Sequence, residues 1–138
     1  TLSGGIYLEF RPTHPPSGTI YLWGSYVDAS NYTAILHDAT NLIFRKRIAG
    51  TNYDTTIANA FTAYTLYKVA VSWGMFGSLI AVNAVIGTNQ SSALPLSLAS
   101  TFQIGADGNS ANQPEAYINN VKIYQRALTQ AQLSDMTR

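Results

Sequence analysis

Residues 67–84 read YKVAVSWGMFGSLIAVNA, and this stretch decides the fold. Tyr67, Val69, Val71 and Trp73 fall on one parity and Lys68, Ala70 and Ser72 on the other, the period of a strand with one apolar face. The run stops at the Gly-bounded tip Gly74-Met75-Phe76-Gly77-Ser78, and Leu79 to Ile86 returns with apolar residues on both parities and Asn83 alone polar. Apolarity on both sides predicts a central strand covered on both faces.

The same period recurs outward in both directions. Ile6, Leu8 and Phe10 oppose Tyr7, Glu9 and Arg11, and the breaker run Pro12 to Gly18, with His14, Pro15 and Pro16, predicts a hairpin loop to the next strand. There Ile20, Leu22 and Gly24 share one parity, and Tyr21, Trp23 and Ser25 the other, before a turn at Asp28, Ser30 and Asn31. Tyr32–His37 and Leu42–Ile48 form a second hairpin, in which Arg45 and Arg47 project opposite Phe44 and Ile48 and Lys46 breaks the alternation. Weaker strands follow at Tyr53–Ala58 and Phe102–Ala106, and a last one at Tyr117–Gln125. Thr129 with Gln132 three residues on is a capping box, opening a short helix that Leu133 and Met136 dock. Short strands at this spacing predict an all-β, antiparallel sandwich with a short C-terminal helix, one domain over residues 1–138.

The composition agrees and excludes several functions. Hydrophobic residues are 46% and charged residues only 11% of 138, so the chain folds around a core rather than staying disordered. Ser, Thr and Asn supply 36 residues, a balance that favours strands over helices. A net charge of +1 lacks the basic excess of a nucleic-acid binder. No window reaches the roughly 18 apolar residues of a membrane span. Without cysteine there is neither disulfide nor thiolate chemistry. A start at Thr1 running almost at once into a strand leads us to expect a domain cut from a longer polypeptide.

Three segments resemble the laminin-G-like branch of the concanavalin A-like lectin-glucanase superfamily. They are the 67–84 hairpin, Phe102-Gln103-Ile104-Gly105, and Ala116 to Thr129, whose strand passes through Arg126-Ala127-Leu128-Thr129 into the helix. Together they cover about half the chain in the family's order. The resemblance implies a two-sheet jelly roll. The sequence departs from the family pattern at Ala84 and Ala116, where glycine is usual, and at Asn119-Asn120, which replace an acidic pair.

Glycoside hydrolysis needs two carboxylates flanking one bond, and Glu9 and Glu115 stand far apart, with Asp28, Asp38, Asp54, Asp107 and Asp135 scattered. The chain carries no G-x-S-x-G elbow and only two histidines, His14 and His37, without metal-ligand spacing. The expectation is no enzyme and no resident cofactor. Calcium is the metal to weigh, because it prefers Asp and Asn oxygens and the related jelly rolls often hold one in an edge loop. Its candidate ligands are Asp107, Asn109 and Asp28, each also an ordinary turn residue.

The aromatic residues carry the binding expectation. Parity puts Tyr7, Tyr21, Trp23 and Tyr124 opposite the apolar stripe of their strands, together with Glu9, Arg11, Ser25 and Lys122. Rings meet the C–H face of a sugar while neighbouring polar groups bond its hydroxyls. The candidate carbohydrate-binding set is Tyr21, Trp23, Tyr26, Tyr53, Arg45 and Tyr124. The expectation is a non-catalytic glycan-binding or adhesion module of an extracellular or virion assembly, the low charge and small-residue content resembling modules of bacteriophage tail and capsid proteins. The partners are a glycan or other subunits of the same assembly. The alternatives are a structural, homo-oligomerising or capsid-decorating module whose aromatic face is an interface, and, third, a polysaccharide hydrolase.

Overall fold

Alternation along the chain resolves into short strands and one helix. A computed structural model describes residues 3–74, 77–87, 101–106 and 112–138. These contain β1 (Gly4–Pro12), β2 (Ile20–Asp28), β3 (Asn31–His37), β4 (Asn41–Ile48), β5 (Thr51–Ala58), β6 (Tyr67–Gly74), β7 (Gly77–Val82), β8 (Val85–Ile86), β9 (Gln103–Ile104), β10 (Ala116–Tyr124) and α1 (Gln130–Met136). A first sheet has the order β10-β1-β6-β7-β8 and a second the order β5-β4-β3-β2-β9, with every pairing antiparallel.

The core lies between the sheets and is supplied by the parities the sequence marks. Ile6, Leu8, Phe10, Val69, Val71, Trp73, Ile80 and Val82 come from the first sheet, and Leu22, Ile35, Leu42, Phe44 and Ile57 from the second. Trp73 stacks on Phe44 with centroids 5.8 Å apart. The indole fits because Gly4 opposite it has no Cβ, which would run into the ring. His37 is fully buried, stacked on Phe61 at 4.2 Å. Its Nδ1 accepts from the Ala39 amide, which leaves Nε2 to donate to Asn59 O, the neutral tautomer. Burial holds its pKa below the ordinary value, against the pull of the Asn59 hydrogen bond.

The helix covers the outer face of the first sheet. Thr129 Oγ1 accepts from the Gln132 amide, and the Gln132 side chain accepts from the Thr129 amide, the capping box in full. Leu128 and Leu133 bury against Tyr7, Ala70 and Ala81, each leucine contributing about 2 kcal/mol of apolar burial. Met136 packs beside them. Ser72 Oγ accepts from the Leu128 amide at 2.7 Å and fixes the entry to the helix.

Two local expectations fail. β1 and β2 do not form a hairpin: β1 has both edges taken, by β6 and β10, and the Pro-rich loop carries the chain across the sandwich to the other sheet. Leu79–Ile86 is not one strand, because Asn83 and Ala84, at φ 47° and 70°, form a two-residue turn between Val82 and Val85. The tip residues Met75 and Phe76 lie outside the described residues.

Candidate functional site

Among the described residues, the outer face of the second sheet gathers a set of aromatic and charged groups, and strand register builds it. Cross-strand pairing lines up Tyr26, Tyr32, Arg47 and Asn52 in one row from β2 to β5. The next row is Gly24, Ala34, Arg45 and Asp54, and the third is Tyr21, Leu36, Ile43 and Thr56. Tyr26 and Tyr32 face one another because the β2–β3 turn is tight. Asp28 carries that turn, accepting from the Ser30 amide at 2.8 Å and from Asn31 Nδ2 at 3.0 Å. The two rings stack at 6.3 Å with 19° between planes.

Arg47 lies with its guanidinium carbon 6.0 Å above the Tyr32 ring, and its Nη1 donates to Asn52 Oδ1 at 2.7 Å. Arg45 grips Asp54 bidentately, Nε to Oδ1 and Nη2 to Oδ2, both at 2.8 Å, with the side chains 20% and 28% exposed. The Asp54 hydrogen bond leads in raising the Arg45 pKa, so the guanidinium is a fixed cation. Between the Tyr26–Tyr32 row and Tyr21 stand the small residues Gly24 and Ala34, both buried. Tyr21 and Tyr32 pack against the Ala34, Leu36 and Ile43 beneath them.

Of the residues expected to form one carbohydrate surface, the structure brings together Tyr21, Tyr26 and Arg45. It separates the others. Trp23 is a core residue, 2% exposed, not part of the outer face. The reason is a bulge: Tyr21 pairs with Leu36 and Trp23 with Ile35, so Leu22 is an extra residue and both Leu22 and Trp23 turn inward. Ser25 follows Trp23 inside, and Tyr26 is thrown to the outer face alongside Tyr21. Tyr53 pairs with buried Lys46, on the same parity as buried Thr55 and Ile57, and so points away from Arg45 and Asp54. Tyr124 belongs to the other sheet, packed with Tyr7 in the cluster under the helix. Burial, then the hydrogen bond to Glu9, pushes the Tyr7 phenol up to about 12. Arg47 shares the parity of Arg45 along β4, whereas Tyr32 and Asn52 join the site only through strand register, which parity within one strand does not reveal.

Of the metal candidates, Asp28 alone lies among the described residues. Asp107 and Asn109 lie outside the described residues. The Asp28 carboxylate is used within its own turn. No group of three or more His, Asp or Glu side chains able to hold a metal occurs among the described residues. The carboxylates there are likewise dispersed. Glu9 is held below the usual range by hydrogen bonds from Tyr7 Oη and Asn120 Nδ2, both at 2.8 Å. Burial would raise the Asp38 carboxyl, but the Asn41 and Thr40 amides pull it below its ordinary value.

No family model matches the chain, and no curated protein matches it. Solved structures do. Domain 4 of AbnA, a GH43 extracellular arabinanase from Geobacillus stearothermophilus solved in complex with arabinotriose, superposes with a TM-score of 0.79 at 16% identity. The match covers 98% of this chain and 66% of that one. The chain is a jelly-roll β-sandwich. A heptameric SAP-like pentraxin from Limulus polyphemus is similar at TM-score 0.69 and 14% identity, over 99% of this chain and 70% of that one. A structure of botulinum neurotoxin type C, whose cell entry depends on interaction with two ganglioside molecules, is similar at 0.73 and 13%. There the match covers 98% of this chain and 35% of the other, so the jelly roll corresponds to one part of a larger protein. No helix among the described residues is long and apolar enough to cross a membrane.

Proposed function

We propose that the jelly roll is a non-catalytic, laminin-G-like carbohydrate-binding module and that the outer face of the second sheet is its binding platform. The observation that carries this is the row Tyr26–Tyr32–Arg47–Asn52 beside the Arg45–Asp54 pair. Stacked rings offer an apolar surface to sugar C–H groups, and the guanidinium and amide groups beside them offer donors and acceptors to hydroxyls. The arabinotriose complex of one similar domain, and the ganglioside dependence of the neurotoxin of which another similar region is part, support a sugar as the ligand class. The dispersal of the described carboxylates supports binding without hydrolysis. Low net charge, absence of cysteine and many small residues fit a module carried in a larger extracellular or virion assembly.

The test is a glycan-array screen of the chain, with arabinotriose and ganglioside oligosaccharides included, followed by titration of Tyr26→Ala and Tyr32→Ala. Each variant is expected to bind about five- to tenfold more weakly while unfolding cooperatively. Equal binding by a folded double variant refutes the platform. A second reading, a structural module, draws on Phe102, Ile104 and Ile123, which are 46%, 48% and 49% exposed on or beside the edge strands β9 and β10. Concentration-dependent dimers in sedimentation, lost in Phe102→Ser, would favour it.

A further inference from the structure

A cleft lies at one end of the sandwich, away from the Tyr26–Tyr32 row. The loop after β1 crosses from one sheet to the other there and meets the segment leading into β10. The two are laced together. The amide and hydroxyl of Thr13 both donate to Glu115 O at 2.9 Å, the Tyr21 amide donates to Asn112 O at 2.9 Å, and His14 Nδ1 lies 2.8 Å from Glu115 Oε2. Between these walls is a cleft of about 420 Å³, inside the range of small-molecule sites.

We propose that this cleft binds a neutral, hydroxyl-rich ring, a single uncharged sugar residue or the end of an oligosaccharide. The size and lining argue for it together. Phe10 and Ile20 form an apolar floor, and Pro15, Pro16 and Pro114 form walls that present ring C–H groups with almost no side-chain entropy to lose on binding. The polar groups are Ser17, Gln113, His14 and Glu115, a set that both donates and accepts, as a hydroxyl requires of its partners. No Lys or Arg lines the cleft, and the Glu115 carboxylate stands at it, so an anionic ligand is disfavoured. The hydrogen bonds across the walls mean that the cleft is formed before a ligand arrives.

The test is an amide-resolved NMR titration of the chain with galactose, lactose and galacturonate, each to about 50 mM so that millimolar affinity is visible. Galactose and lactose are expected to shift the Ser17, Gln113 and Glu115 amides, and galacturonate to shift them less. Gln113→Ala and Ser17→Ala, both surface changes that leave the wall hydrogen bonds in place, are each expected to weaken lactose about three- to tenfold. The proposal is overturned if no neutral sugar moves those amides, if galacturonate moves them as strongly, or if neither variant changes the affinity. Shifts confined to Tyr26 and Tyr32 overturn the cleft and leave the sheet-face platform standing. Shifts confined to the cleft do the reverse.

Discussion

Replacing Ala84 by glycine is expected to stabilise the protein, although it deletes a methyl group. The β7–β8 turn has Asn83 at φ 47° and Ala84 at φ 70°, both left-handed, as a two-residue turn between antiparallel strands demands. Asparagine tolerates that region, whereas an alanine Cβ there crowds the following carbonyl at a cost of about 1–2 kcal/mol. Glycine removes the strain but gives the unfolded chain more freedom, worth about 0.4–1 kcal/mol against it. The turn's bonds survive, because Ala84 contributes only its amide, to Thr137 Oγ1 at 3.0 Å, and its carbonyl, to Ser134 Oγ at 3.2 Å. Lys68 N to Asn83 Oδ1, at 2.8 Å, is also untouched. The net expectation is a gain of about 0.5–1 kcal/mol, seen in urea unfolding as a higher midpoint at unchanged slope. Ala34→Gly is the control: Ala34 is fully buried in β3, so the same substitution should lower the midpoint. A midpoint for Ala84→Gly at or below the parent refutes the argument that strain in this turn outweighs chain entropy.

Trp23→Ala should cost about 3–5 kcal/mol in urea unfolding, and Trp23→Phe much less, because the ring fills core volume between the sheets; parent-like stability of the alanine variant would return Trp23 to the surface. Thr129→Ala removes the cap on the Gln132 amide and should cost about 1 kcal/mol, whereas Thr129→Ser should keep most of it. Folded His37 is neutral with a lowered pKa while the unfolded chain takes up its proton near pH 6.5, so unfolding releases a base. Stability is therefore complete above about pH 6.5 and falls as the pH drops below it, by at most about 1.4 kcal/mol per pH unit. Unfolding free energies measured from pH 8 to 5 should show that decline in the parent and a shallower one in His37→Gln; a flat parent profile refutes it. An ultraviolet titration should find one tyrosine, absent in Tyr7→Phe, ionising near 12.

Period-two patterning was enough to read most of the strands, the antiparallel sandwich and the core parities of β1, β6 and β4, because a side chain's face is set by its own strand. The helix was legible for a similar reason. Thr129 and Gln132 carry their capping geometry within four residues, and Leu133 and Met136 mark the docking face. Tertiary structure decided what depends on pairing. Whether β1 joins β2 or β10 turns on which edges are already occupied, and no local signal reports that. A single bulge at Leu22 reverses the faces of everything after it, sending Trp23 into the core and Tyr26 outward. The candidate platform exists because register sets Tyr32 against both Tyr26 and Arg47, and the end cleft exists because the loop after Pro12 meets Glu115, about a hundred residues later in the chain. Alternation fixes which face a residue chooses within its strand; only the packed chain fixes which residues share that face.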